Sequence, residues 1–225
     1  MPKIMRPFLS DCDSPSCIQD IIIQQLVPST KCNLTEGEIL WHENEYHPYT
    51  YFVKKGMVKL HLITREGREK SLFYYTTGAW FGFQGLNEGK MTITTATAIL
   101  PTTLYKVEFA LLYAYIKNHP EYLSALTNYV FHHMVLEAQE IVNISLYNTA
   151  ERLNVLLVHL AEEYQEEGQN RVLIPLSNEE IGNMVGASRN SVSSAISALR
   201  EQKLVRKQRG GLIITDLKRL KEYNM

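Results

Sequence analysis

The stretch 177–211, SNEEIGNMVGASRNSVSSAISALREQKLVRKQRGG, carries the reading that decides the fold. Ser177 is a good N-cap, and Glu180 three residues on completes an S-x-x-E capping box. Ile181, Met184 and Val185 follow at helical spacing. Gly186 supplies the positive φ at which a helix ends most easily. Ser188 caps a second helix whose apolar stripe is Val192, Ala195, Ile196 and Leu199. That stripe leaves Arg189, Asn190, Ser191, Ser193, Ser194 and Ser197 as small or polar side chains, several of them facing outward. Serine and asparagine compete with the helix backbone, so they are poor choices for stability alone. They suit a helix that enters a groove, where they hydrogen-bond base edges and phosphates and where Arg189 pairs bidentately with guanine. Two helices about a glycine turn, then a basic hairpin, is the winged helix-turn-helix arrangement. Its hairpin offers Lys203, Arg206, Lys207 and Arg209 to phosphates, and Ser177 and Asn178 complete the candidate DNA-facing set. The competing reading is a two-helix corner with a solvated face, since the same geometry occurs in proteins that never touch DNA.

Charge supports the first reading. Residues 171–225 hold ten Lys/Arg against five Asp/Glu, and residues 1–170 hold thirteen against nineteen. The near-neutral total hides a basic C-terminal end, which suits a polyanion partner. With 225 residues the chain holds one large domain or two small ones. No apolar run is long enough for a bilayer span, and the first residues have no signal-peptide core, so the expected location is cytoplasmic. Cys12, Cys17 and Cys32 are an odd number in a reducing compartment, which argues against a disulfide scaffold. A zinc site would need a fourth ligand such as His42 or His47.

Upstream, residues 1–17 read as a loose arm and 18–27 as a short helix ending at Pro28. β-rich runs then follow at 38–42, 51–54, 57–63, 70–75, 80–83, 92–98 and 103–107, punctuated by turn signals. This is the texture of an antiparallel sandwich or barrel. Residues 108–118 read as a short helix and 121–147 as a long one. Leu123, Val130, Met134, Ile141 and Ile144 lie on its stripe as the candidate dimerisation set, and apolar residues on more than one side imply two buried faces. One face would cover the β domain and the other would pair with a second copy; a helix packed wholly inside a monomer is the alternative. Residues 149–165 form another helix. The domain expectation is 1–119 for sensing, 120–148 for dimerisation and 149–225 for DNA binding. The fold class is α+β.

A small β-barrel, a long helix and a winged helix-turn-helix in that order resemble the cAMP receptor protein/fumarate-nitrate regulator (CRP/FNR) family of bacterial transcription regulators. The quoted helix-turn-helix carries the family's I-G and G-x-S-R spacing. GEILWHENEYHPYTYFVKKGMVKL resembles the family's opening strands, and GAWFGFQG its G-x-x-x-G element near the effector pocket. The resemblance implies a cyclic-nucleotide-binding jelly roll, a homodimer on a near-palindromic operator, and RNA polymerase as a partner if the protein is an activator. It also implies an effector site between barrel and long helix, here Tyr75, Trp80, Gly82, Phe83, Gln84, Thr92, Tyr129, His133 and Glu137.

Departures from the family pattern argue against cAMP. Phe83 stands where nucleotide-binding members have a ribose-holding glutamate, and Met91-Thr92-Ile93-Thr94 lacks the arginine that anchors a cyclic phosphate. Glu137-Ala138 replaces the adenine-contacting pair. The cysteines do not reproduce the spacing of the iron–sulfur branch. The aromatic set around Phe73, Tyr75 and Trp80 instead suits a small organic effector, and the overall texture is similar to the branch that senses halogenated phenols. In the recognition helix Asn190 replaces a common glutamate and Ser194 an arginine, which shifts the preferred half-site. The competing functions are an effector-independent or redox-gated DNA-binding regulator and, more distantly, a cupin-type metalloenzyme using His42 and His47. No catalytic residue and no certain cofactor is expected.

Overall fold

The computed structural model describes residues 8–9, 26–67, 69–83, 91–165 and 169–223. The chain divides into two compact units, one running up to Leu136 and the other from Glu137 onward.

The first unit is built on two packed sheets. One has five strands in the order β1 (Phe8–Leu9), β6 (Glu69–Tyr75), β5 (Val58–Ile63), β8 (Thr95–Ala98), β3 (Ile39–Trp41). The other has the order β2 (Thr30–Leu34), β9 (Thr102–Glu108), β4 (Tyr49–Lys55), β7 (Trp80–Phe81). All pairings are antiparallel except β1 with β6, where Phe8 and Leu9 run parallel to Tyr74 and Tyr75. The loose-arm reading is therefore corrected at Phe8–Leu9, which occupy the open edge of β6. The expected helix at 18–27 falls on residues outside those described, except Leu26 and Val27, which are not helical. Cys12 and Cys17 also lie outside them; Cys32 is a half-buried free thiol on β2.

Glycine fixes the tight corners. Gly56, between β4 and β5, has φ +103°, and a Cβ there would sit 2.5 Å from Thr102 Oγ1 and 2.6 Å from the Pro101 carbonyl oxygen. At the corresponding tight turn of 42–45, Asn44 takes φ 63°, one of the few side chains that tolerate it.

Rings from both sheets meet in the interior. Trp41 of β3 and Tyr75 of β6 face Tyr51 of β4 and Phe81 of β7, with Phe81 centroids 4.9 Å from Tyr75, 5.4 Å from Tyr51 and 5.6 Å from Trp41. The opposite side of β4 and β7 turns Phe52 and Trp80 toward α1 (Phe109–Lys117) and the first half of α2 (Pro120–Leu146). There Val107, Leu112, Ile116, Ala125, Leu126 and Tyr129 close a second core.

The second unit holds the rest of α2, then α3 (Thr149–Tyr164), β10 (Val172–Ile174), α4 (Asn178–Val185), α5 (Arg189–Glu201), β11 (Val205–Gln208), β12 (Gly211–Ile214) and α6 (Leu217–Glu222). Its sheet runs β10–β12–β11, antiparallel throughout. Leu153, Leu157, Leu160, Ile181, Ile196, Leu212 and Ile214 are buried in its core. Asn148 opens α3 with a reciprocal capping box, its side chain accepting from Ala150 and Glu151 N–H while Glu151 Oε2 accepts from the Asn148 N–H at 2.8 Å.

Candidate nucleic-acid interface and effector pocket

Local chemistry positions the two helices of the turn. Ser177 Oγ accepts the Glu180 N–H at 3.0 Å and starts α4. Gly186 ends it at φ 66°, and the Ala187 N–H donates to the Gly182 carbonyl oxygen at 3.1 Å. Ser188 Oγ accepts the Ser191 N–H at 3.2 Å and lies 2.9 Å from Ser191 Oγ. Val192, Ile196 and Leu199 are buried against α3 and α4.

What remains outside on α5 is Arg189, Asn190, Ser191, Ser193, Ser194 and Ser197, all exposed. Arg200 extends that face by one more turn; its i+3 spacing from Ser197 was the sequence signal that would have added it. Ser177 is exposed and Asn178 half-buried. Ser177 and Ser188 thus spend lone pairs on capping, and their contact to a phosphate is left to the hydroxyl proton. On the wing, Lys207 and Arg209 are exposed, whereas Arg206 points to the opposite side of β11 from Lys207. The four basic residues of the hairpin therefore do not form one phosphate-facing row.

In the first unit the structure brings together only part of the expected effector set. His133 lies among rings, with centroids 4.7 Å from Tyr129, 5.5 Å from Phe73 and 5.8 Å from Tyr75, the last stacked. Tyr75 is in turn stacked on Phe81. Tyr129 donates its hydroxyl proton to the Trp80 carbonyl oxygen at 2.5 Å and meets Phe83 edge-on at 6.0 Å. Two buried nitrogens in this region, His133 Nε2 and Trp80 Nε1, have no hydrogen-bond partner among the described residues.

The other members of the set are elsewhere or otherwise engaged. Thr92 is fully buried, but its hydroxyl donates to the His42 carbonyl oxygen at 2.6 Å and accepts the Glu45 N–H at 3.1 Å. It clamps the 42–45 turn with the one polar group that it could offer a ligand. Gly82, at φ +87°, allows close approach: a Cβ would lie 3.0 Å from the Tyr49 carbonyl oxygen. Glu137 is exposed and belongs to the second unit, so it is not part of the cluster. Gln84 lies outside the described residues. Trp80, with no exposed surface, packs its ring in the second core beside Phe52.

The metal reading of 42–47 loses its geometry. His42 is exposed, while His47 is buried, tilted against Trp41 at 4.3 Å and stacked on Tyr51 at 5.4 Å, so the two imidazoles occupy opposite environments.

Burial holds His47 and His133 neutral by pushing each from 6.5 down to about 4; Lys106 adds to the effect at His47 against the pull of Glu45, and His132 adds to it at His133. Both folded values lie below the unfolded one. Between pH 6.5 and 4 the unfolded chain binds protons that the folded chain refuses, so stability is full above 6.5 and falls as the pH drops toward 4. Chemical denaturation at pH 7 and pH 5 should show this loss, with about two protons taken up on unfolding at the lower pH. His133→Gln should remove about one of them; an unchanged pH dependence in that variant would show that His133 titrates normally.

On α2, Leu123, Phe131, Met134, Val135, Ile141, Val142 and Ile144 are all at least 47% exposed, although the opposite face is buried at Ala125, Leu126, Tyr129 and Leu136. Val130, expected on the exposed stripe, is packed against the second core. The exposed side follows 3-4 spacing through Thr127, Phe131, Met134, Ala138, Ile141 and Ser145.

Comparison with known proteins agrees with this geometry. A profile described as the cyclic nucleotide-binding domain matches residues 31–119, and one described as the Crp-like helix-turn-helix domain matches residues 151–223. The cAMP-activated global transcriptional regulator CRP of Haemophilus influenzae is 27% identical over 181 residues, 78% of this chain and 81% of that protein. Among solved structures, FixK2 from Bradyrhizobium japonicum superposes with a TM-score of 0.77 at 20% identity, covering 88% of this chain and 98% of its own. CprK in complex with OCPA superposes with a TM-score of 0.66 at 18% identity, covering 96% and 98%. At these identities the two structures show the shared fold. No helix among the described residues is long and apolar enough to cross a membrane.

Proposed function

The chain belongs to the CRP/FNR family, as an effector-responsive, DNA-binding transcription regulator and not an enzyme, and on that premise we propose that it acts as a cytoplasmic homodimer on a near-palindromic operator, gated by a small organic effector. The observation that carries this reading is the pair of faces left outside otherwise complete cores: the polar face of α5 and the apolar face of α2. An apolar helix face of that length is costly in water and is removed by a two-fold partner. Two copies then present two copies of α5, and two-fold symmetry demands a symmetric operator. Arg189 and Asn190 start the recognition helix; Asn190 reads adenine, and Ser193, Ser194 and Ser197 allow close approach to the groove. Lys207 and Arg209 supply phosphate contacts.

The effector reading rests on His133. Its buried Nε2 lacks a partner among the described residues in a ring-lined setting, and a ligand polar atom there would recover the lost hydrogen bond. Neutral imidazole, Tyr129 and the surrounding rings suit an aromatic ligand with one polar group, such as a phenol, better than a cyclic phosphate, which needs a cation. A ligand wedged against α2 would favour one packing of the helix, and thus one spacing of the two recognition helices, by shifting populations. A second reading has its own support: Trp80 and Tyr129 are already packed with almost no exposed surface, as in a regulator that needs no effector.

Fluorescence anisotropy on DNA upstream of the protein's own gene, across a salt series, tests both. Salt-sensitive, saturable binding that tightens at least tenfold with one member of a panel of phenols, halogenated aromatics and cyclic nucleotides is the expected outcome. Specific binding indifferent to every ligand would select the effector-independent reading. Binding no tighter than to unrelated DNA would remove the operator from the scheme.

A further inference from the structure

The outward face of the β10–β12–β11 sheet has a composition that DNA binding does not explain. Val172 and Ile174, Val205, and Leu212 and Ile214 turn inward and are buried, while the same strands turn Leu173, Ile213 and Arg206 outward in one cross-strand row. Arg171 and Thr215 extend the row by one step toward Gln169. Together these residues line a cleft of about 350 Å3. Leu173 is 43% exposed at an edge strand, where a polar residue would be the ordinary choice. Arg171 and Arg206 flank this apolar floor from the two outer strands, and neither makes an ion pair among the described residues.

We propose that this cleft binds a small organic anion, a carboxylate or phosphate ester carried on an apolar body. The volume is that of a small-molecule site. Two strand spacings across the sheet and two residues along it separate the arginines by roughly 12 Å at the backbone, within the combined reach of two long side chains, so both guanidiniums meet at a single anionic group above β12. Guanidinium forks hold carboxylate and phosphate oxygens in pairs. The floor of Leu173 and Ile213 selects against inorganic ions, which would leave it wet, and in favour of an acyl chain or ring. The inner face of the same sheet packs on α3 and α5, so the seat lies on the far side of the sheet from the recognition helix. The site is separate from the aromatic cluster around His133 and does not depend on that reading.

Protein-observed NMR titration of the full chain with octanoate, phenyl phosphate and inorganic phosphate tests the proposal. Octanoate or phenyl phosphate should bind with a Kd of about 1 mM or tighter, which is reasonable for ligands of this size. Inorganic phosphate should bind at least about tenfold more weakly, since it leaves the apolar floor uncovered. The two organic probes distinguish a carboxylate from a phosphate-ester preference. The surface double variant Arg171→Gln/Arg206→Gln should weaken binding about tenfold or more with an unchanged melting temperature, and Leu173→Ser should weaken it as well, while His133→Ala should leave it unchanged.

Each of the following results overturns the proposal. The probes fail to bind, or bind the double arginine variant as well as the native chain. Binding is lost in His133→Ala alone, which assigns it to the barrel. Operator DNA displaces the probe, which makes the arginines phosphate contacts. Neither organic probe binds, yet the double variant lowers transcript output with purified polymerase, which assigns the face to a protein.

Discussion

Replacing Met134 and Ile141 together by glutamate should give a folded monomer that has lost operator binding. Both side chains are more than half exposed within the chain, at 56% and 68%, so the substitutions remove little packing from either unit and the melting temperature of the isolated chain should hold. In a two-fold interface each substitution occurs twice, and residues one heptad apart on paired helices lie close to their symmetry copies. Four carboxylates would then be driven into an apolar seam, each costing several kcal/mol unless it is protonated or excluded. The dimer should dissociate at least about a thousandfold more readily, which is about 4 kcal/mol. Operator affinity should fall at least a hundredfold, since the second half-site is no longer held at the millimolar effective concentration that linkage provides. Sedimentation equilibrium and anisotropy on the full operator measure the two effects separately. A variant that remains dimeric would place the pairing surface elsewhere. A monomer that binds as tightly as the native chain would remove symmetry from the recognition scheme. Val130→Glu is the counter-test: Val130 packs on the chain's own second core, so its loss should appear as instability of the first unit.

The contrast between Val130 and Phe131 shows where reading the sequence stops. A helix with apolar residues on two sides announces two buried faces, but periodicity does not say which face turns to the chain's own core. That choice is made by Trp80, Leu112 and Ile116, which meet α2 on the side of Ala125, Leu126 and Tyr129 and so leave Phe131 and Val135 outside. The winged helix-turn-helix was legible almost to the residue because its boundaries are set by local chemistry: serine hydroxyls at Ser177 and Ser188 and a left-handed glycine at Gly186. The strands were legible through their glycine turns. β2 was missed because its five residues are mostly exposed and show no apolar alternation, and β1 because two residues carry no period. The effector set suffered most. The family resemblance put Thr92 beside the rings, whereas its hydroxyl is taken up by a turn fifty residues upstream. Hydrogen bonds between distant segments leave no trace in spacing.

The two adjacent glycines of the wing read in sequence as one turn, and substitution should separate them sharply. Gly210 has φ +84° with open space where a Cβ would go. Its requirement is conformational, so Gly210→Asn should cost only about 1 kcal/mol. Gly211 has no such backbone requirement, but a Cβ there would run directly into the Ile174 carbonyl oxygen, with the Ile174 carbonyl carbon at 3.1 Å and Pro175 Cα at 3.2 Å. Those atoms are backbone and cannot rotate aside. Gly211→Ala must push β12 away from β10, at the end of the ladder where Ile174 pairs with Leu212, and should cost about 2–4 kcal/mol. The displacement carries Leu212 and Ile214 of the buried inner face and, through the ladder, β11, against which α5 packs, so operator affinity should fall with stability. In Gly210→Asn both should stay near native values. Denaturant melts and anisotropy on the two variants decide it: equal losses would mean that the hairpin responds to its turn as a whole, and a stable Gly211→Ala protein would mean that β10 gives way without cost.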